Sequence, residues 1–220
     1  MGGRSALREP APVRESLPGP LPRAKGDDMP FSENATGYDP VWKTIHWLTV
    51  AVILALFVLG GTMSRNTPHL VMWHESLGLC LLLLTLARLV WRFGHAAPPL
   101  PGGLRPWEAF AAVAVHRLFY VCLLLQPLIG WSLYSLSPVP RPFFGLFPIP
   151  RLPLGGLAGA GTREMLAGAH GTVAALLALL FFLHAGAAVK HHFVLRDDVL
   201  LRMAPAGLAP LLTRLRGRGR

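Results

Sequence analysis

Carboxylates are scarce in this chain, and none falls in the middle of a long apolar run; 11 Asp and Glu stand against 21 Lys and Arg. Membrane proton relays usually recruit buried Asp or Glu, so that scarcity counts against one. Cysteine is scarcer still. Cys80 and Cys122 both lie inside apolar runs, where a thiol behaves as a small buried hydrophobe. No Cys-x-x-Cys-His occurs, which excludes covalent c-type haem attachment, and no cysteine cluster suits structural zinc. Residues 1–36 lack an apolar h-region, so they do not form a secretory signal. With Pro10, Pro12, Pro18, Pro20, Pro22 and Pro30 among scattered charges, they read as a disordered extension outside the membrane. Internal repeats are also missing. The net charge of +10 does not point to nucleic acid, because the basic residues are not interleaved with aromatics on a polar surface.

Apolar residues are abundant, at 52%, and charged ones make up only 15%, a composition of membrane proteins. Four long apolar runs are predicted to span a bilayer, at about residues 41–63, 71–90, 107–134 and 163–189. Asp39-Pro40 opens the first as N-cap and first helical residue. Gly60-Gly61 and Pro68 are expected to end it and begin a short loop, and Pro127 to kink the third. Between spans three and four, residues 135–162 hold Pro-Arg-Pro-Phe-Phe-Gly-Leu-Phe-Pro-Ile-Pro, predicted to form an interfacial lid. The fold class expected is an all-α membrane protein, a four-helix bundle running up-down-up-down. Its domain extends over 37–205, followed by a basic tail over 206–220.

Basic residues crowd one side. The N-terminal flank has Arg4, Arg8, Arg14, Arg23, Lys25 and Lys43; the second loop and its helix ends have Arg88, Arg92, Arg105 and Arg117. The C-terminal flank adds Lys190, Arg196, Arg202, Arg214, Arg216, Arg218 and Arg220. Only Arg65, Arg141, Arg151 and Arg163 lie opposite, so the positive-inside rule places both termini in the cytoplasm.

Histidines then sort by depth. His170 and His184 are fourteen positions apart, about 21 Å along a helix but only about 40° apart around it. With this topology His46, His116 and His184 fall near the cytoplasmic side, and His74 and His170 near the outer side. Imidazoles on facing helices are the ligand set of a six-coordinate b haem, and bundle cores are where such sites are built. Zinc would more often take three or four ligands including thiolate or carboxylate. A haem-free transporter using these histidines for metal or protons is a third reading. His69, His95, His191 and His192 read as interface residues that snorkel, or as contacts to a haem propionate. His116 is open between ligand, propionate contact and quinone contact.

Tyr38-Asp39-Pro40-Val41-Trp42-Lys43-Thr44-Ile45-His46-Trp47-Leu48 resembles the opening of the bacterial cytochrome b561 family. So do His74-Glu75-Ser76-Leu77-Gly78, Arg88-Leu89-Val90-Trp91-Arg92 and Phe144-Gly145-Leu146-Phe147-Pro148. The close is similar too, in Leu183-His184-Ala185, Lys190-His191-His192-Phe193 and Arg196-Asp197 leading to Leu201-Arg202-Met203-Ala204-Pro205. Together these cover about residues 38–205. Gly171 departs from the pattern, since the resemblance leads one to expect a glutamate after His170, as in His74-Glu75.

The resemblance implies two b haems, one held by His46 and His184 and the other by His74 and His170, in the bacterial inner membrane. It implies electron exchange with ubiquinone near the cytoplasmic haem, for which His116, Lys190 and His191 are candidate contacts. Some members are superoxide oxidases, passing an electron from superoxide outside to quinone inside; others carry electrons for a partner oxidoreductase. Arg65, Arg141, Arg151 and Arg163, against Glu75 and Glu164, read equally as a basic funnel for an anionic reactant on the outer side or as ordinary solvated loop charge.

Overall fold

The computed structural model describes residues 37–64, 66–95, 98, 105–139, 141–157 and 159–217. All fall in the unit formed by residues 36–220. The extension expected over 1–36, and Arg65, lie outside the described residues.

Among the described residues four helices are long and apolar enough to cross a bilayer, with mean hydropathies of 1.7 to 2.2. Helix α1 is Pro40–Thr62, and Asp39 caps it by accepting from the Trp42 backbone N–H at 2.9 Å. Helix α2 is Pro68–Gly94, α3 is Pro106–Ser135, and α4 is Ala160–Lys190. The close neighbours are α1 with α2, α2 with α3, and α3 with α4. Large side chains such as Val58, Leu83 and Phe182 are exposed on the outside, as lipid-facing residues are.

Helix α1 ends at Thr62, one residue past Gly60-Gly61 and within the expected 41–63, and closes with Met63 N–H on the Leu59 carbonyl at 2.8 Å. One boundary differs from the sequence expectation. Pro68 opens α2 rather than belonging to the loop, since proline at the first helical turn costs no hydrogen bond. Likewise α3 continues through the buried Pro127.

Hydroxyls within the spans return to their own helix. Thr49 donates to the Ile45 carbonyl at 2.7 Å, Ser76 to Met72 at 2.8 Å and Thr85 to Leu81 at 2.8 Å. These bonds let buried polar residues sit in an apolar layer. At mid-depth Ile53, Leu81, Cys122, Leu123, Leu177 and Leu180 form the packed core.

The segment between α3 and α4 is a small hairpin. Strand β1, Pro142–Phe143, pairs antiparallel with β2, Phe147–Pro148. Phe144 and Gly145 turn it with φ of 48° and 81°. A positive φ is costly for phenylalanine and persists only where surroundings hold it. Here Phe144 N–H donates to Ser76 Oγ at 2.9 Å, and its ring meets Trp73 at 5.0 Å. Tyr134 donates to the Arg141 and Ile149 carbonyls at 3.2 and 3.3 Å, so the hairpin is bound to α2 and α3.

After α4 the chain makes a π-helical turn, His191–Leu195, then two short helices, α5 (Val199–Met203) and α6 (Ala209–Gly217). The basic tail is thus helical over its middle. His192 is not an interface residue that snorkels: it is fully buried, its Nε2 3.1 Å from the Leu212 carbonyl of α6.

Candidate functional site

Helix α4 contributes one imidazole to each of two pairs. His170 faces His74 of α2 with ring centroids 6.1 Å apart and planes at 68°. His184 faces His46 of α1 at 6.3 Å and 64°. The apolar core lies between the pairs along α4, since Leu177 and Leu180 fall between positions 170 and 184.

The His74/His170 pair lines a cavity of about 710 Å³, together with Gly60, Gly78, Gly130 and Gly171. Two glycines bring neighbouring helices against the imidazoles. A Cβ built on Gly60 of α1 would stand 3.4 Å from His74 Cε1, and one on Gly130 of α3 would stand 3.2 Å from His170 Cε1. Both Nδ1 atoms are buried, His74 beside the Leu56 backbone and His170 beside the Gln126 backbone. Over this pair sits the hairpin, where Arg141 Nη1 meets Glu75 Oε1 at 2.9 Å.

The His46/His184 pair has a more polar and aromatic surround. Arg88 Nη1 lies 3.3 Å from His46 Nδ1, and its Nε donates to the Tyr120 hydroxyl at 3.3 Å. The same guanidinium lies 5.7 Å from the ring centres of both Trp42 and Tyr120. His184 is met edgewise by Phe119 at 5.7 Å and by His116 at 5.2 Å. The His116 Nδ1 donates to the Ala112 carbonyl, one turn back, at 2.6 Å.

The structure therefore gathers five of the seven residues expected from sequence, as two pairs with His116 beside one of them. It does not gather the other two: Lys190 is exposed at the end of α4, and His191 Nδ1 is bound to Asp197 Oδ2. Gly60, Gly130 and Ser76 were not foreseen. Glycine within a helical pattern, alone at Gly130 and doubled at Gly60-Gly61, is the signal that could have drawn attention to the first two. Among the described residues, no group of three or more His, Cys, Asp and Glu is arranged to hold a bare metal ion. The donor sets are imidazole pairs.

The profile of prokaryotic cytochrome b561 matches residues 37–206. The chain belongs to that family. It is 31% identical to the cytochrome b561 homolog 2 of Escherichia coli (strain K12) over 186 residues, covering 80% of this chain and 95% of the relative. It is 28% identical over 165 residues to a protein of Yersinia pestis named "Probable superoxide oxidase CybB", covering 73% and 92%. A cytochrome b562 of Cereibacter sphaeroides is 30% identical over 179 residues, covering 76% and 94%.

A prokaryotic cytochrome b561 is a membrane electron-transfer protein with b-type haem. The residues here fit that group. A metal between two imidazoles, with bonds of about 2 Å, puts their ring centroids about 6 Å apart. The cavity beside His74 and His170, and the glycines that let α1 and α3 approach those imidazoles, agree with such a site.

Proposed function

We propose that this cytochrome carries electrons from superoxide at one membrane face to ubiquinone at the other, on two b haems. His74 and His170 would hold the outer one, His46 and His184 the inner. The observation that carries this reading is the pair of imidazole couples strung along α4, with ring centroids 6.3 and 6.1 Å apart. The excess of positive charge at the His46/His184 end supports a reading with both termini on the cytoplasmic side of a bacterial inner membrane.

A haem with two imidazole ligands supplies a one-electron couple with no open coordination position. Each superoxide gives up one electron and leaves as dioxygen; two electrons and two protons convert ubiquinone to ubiquinol. The chain's own residues set access. Arg151 is exposed, as is Arg163, whose Nη1 reaches the Leu136 carbonyl at 3.3 Å. Both lie in the segment around the outer pair, where positive charge raises the encounter rate of an anion. At the inner end His116 is exposed and touches His184, so it is the favoured contact for a quinone. Lys190 and His191 stand behind it, the latter engaged by Asp197.

The purified protein supplied with superoxide and a ubiquinone analogue should form ubiquinol, and superoxide dismutase should abolish the reaction. A preparation with both haems that makes no ubiquinol would instead favour an electron-carrying anchor for a partner oxidoreductase.

A further inference from the structure

Residues 207–220 lie beyond the family match, yet α6 within them is fastened to the end of α4. Arg216 Nη1 reaches Asp198 Oδ1 at 2.8 Å and the Asp197 carbonyl at 2.9 Å. His192, fully buried in the π turn, meets the Leu212 carbonyl at 3.1 Å. At about 100° per residue, Leu212 and Arg216 share the side of α6 turned to the protein.

Another side is apolar and uncovered. Leu208, Leu211 and Leu215 are 47%, 52% and 42% exposed, and lie within about 60° of one another around the helix. Arg214 and Arg216 flank this stripe, each roughly 90–110° from its centre. Exposed Phe193, Val194 and Leu195 extend the apolar surface back to the end of the membrane span. The preceding segment is held at interface level: Trp47, an aromatic in the N-terminal third of α1, donates its indole N–H to the Met203 carbonyl at 2.9 Å.

A leucine stripe at the edge of a bilayer, between arginines, has the form of an interfacial helix. We propose that α6 lies in the membrane interface, its leucines in the acyl boundary and Arg214 on the headgroups of anionic phospholipids. Sequence adds Arg218 and Arg220 just beyond it. Juxtamembrane arginines of this kind are drawn to anionic lipid. The proposal holds for whichever face carries the C-terminus.

The test uses the full chain in nanodiscs, with Cys80 and Cys122 replaced by Ala and a nitroxide attached at Leu211→Cys, Leu215→Cys or Thr213→Cys. Far-UV circular dichroism checks that each variant is folded. In nanodiscs containing phosphatidylglycerol, labels at 211 and 215 should meet dissolved oxygen more than a water-soluble nickel chelate. The label at 213, on the opposite side, should show the inverse ratio. Arg214→Gln, or purely zwitterionic nanodiscs, should move 211 and 215 toward the chelate. Dominant chelate access at all three positions would overturn the proposal. So would shielding of 211 and 215 from both probes, which would mean a protein partner or second copy covers the stripe. Depth unaffected by lipid charge and by Arg214→Gln would overturn the headgroup assignment.

Discussion

Arg141 Nη1 stands 2.9 Å from Glu75 Oε1, joining the hairpin to the residue that follows His74. Both side chains are largely buried, at 22% and 15% exposure. One of the arginines expected to form a basic funnel is therefore neutralised by a carboxylate and serves to hold the hairpin down. Breaking this bond by Arg141→Gln leaves a carboxylate poorly partnered, which costs about 1–3 kcal/mol. Amide exchange across 142–148 should quicken, and Glu75→Gln should do the same. Adding the second substitution to the first should cost less than the two separately. Unaltered exchange in both single variants would show that Phe144–Ser76 and the Tyr134 bonds suffice.

With Arg141 engaged, Arg151 and Arg163 remain as the described outer arginines to attract an anion. Their joint replacement by Gln should lower the superoxide rate at low salt. Raising ionic strength toward 1 M, where the screening length is about 3 Å, should remove most of the difference. Stopped-flow kinetics across a salt series checks this; a salt-independent rate would argue for an uncharged donor.

Two haems per chain are expected by pyridine haemochrome assay. His74→Ala and His170→Ala should each remove the same one, while His46→Ala and His184→Ala remove the other. Loss of a common haem from His46→Ala and His74→Ala would break the pairing.

Gly130→Val should mimic a ligand mutation without touching a ligand. Its Cβ alone would stand 3.2 Å from His170 Cε1, and the added methyls need space that the imidazole occupies. Haem content should fall toward that of His170→Ala. Gly60→Ala, whose Cβ meets His74 Cε1 at an ordinary 3.4 Å, should be far milder. Equal haem retention in Gly130→Val would mean that α3 moves aside.

The spans were legible because a bilayer demands about twenty apolar residues in each, and Asp39-Pro40 because capping is local. Depth along apolar runs likewise separated His46, His116 and His184 from His74 and His170, and the family resemblance chose the pairs now seen across α1, α2 and α4. What sequence concealed depends on contacts distant in the chain. The hairpin's turn is held by Ser76, 68 positions earlier, and no local pattern reveals that partner. His192 looked like a snorkelling interface residue until Leu212, 20 positions later, closed over it. Gly60 and Gly130 gain meaning only from the histidines of other helices. Helix α6 spans nine residues, too few for periodicity to separate it from a charged tail.

The layer of Ile53, Leu81, Cys122, Leu123, Leu177 and Leu180 separates the two imidazole pairs with five aliphatic side chains and one thiol, which offer no chain of groups to relay a proton. An electron passing between the ends would travel without a compensating proton through that layer. Its passage is then electrogenic. In a membrane negative inside, each electron moved inward does work of about 2.3 kcal/mol per 100 mV over the full thickness. The proposed reaction would therefore slow as the cell becomes energised and quicken when the membrane is depolarised.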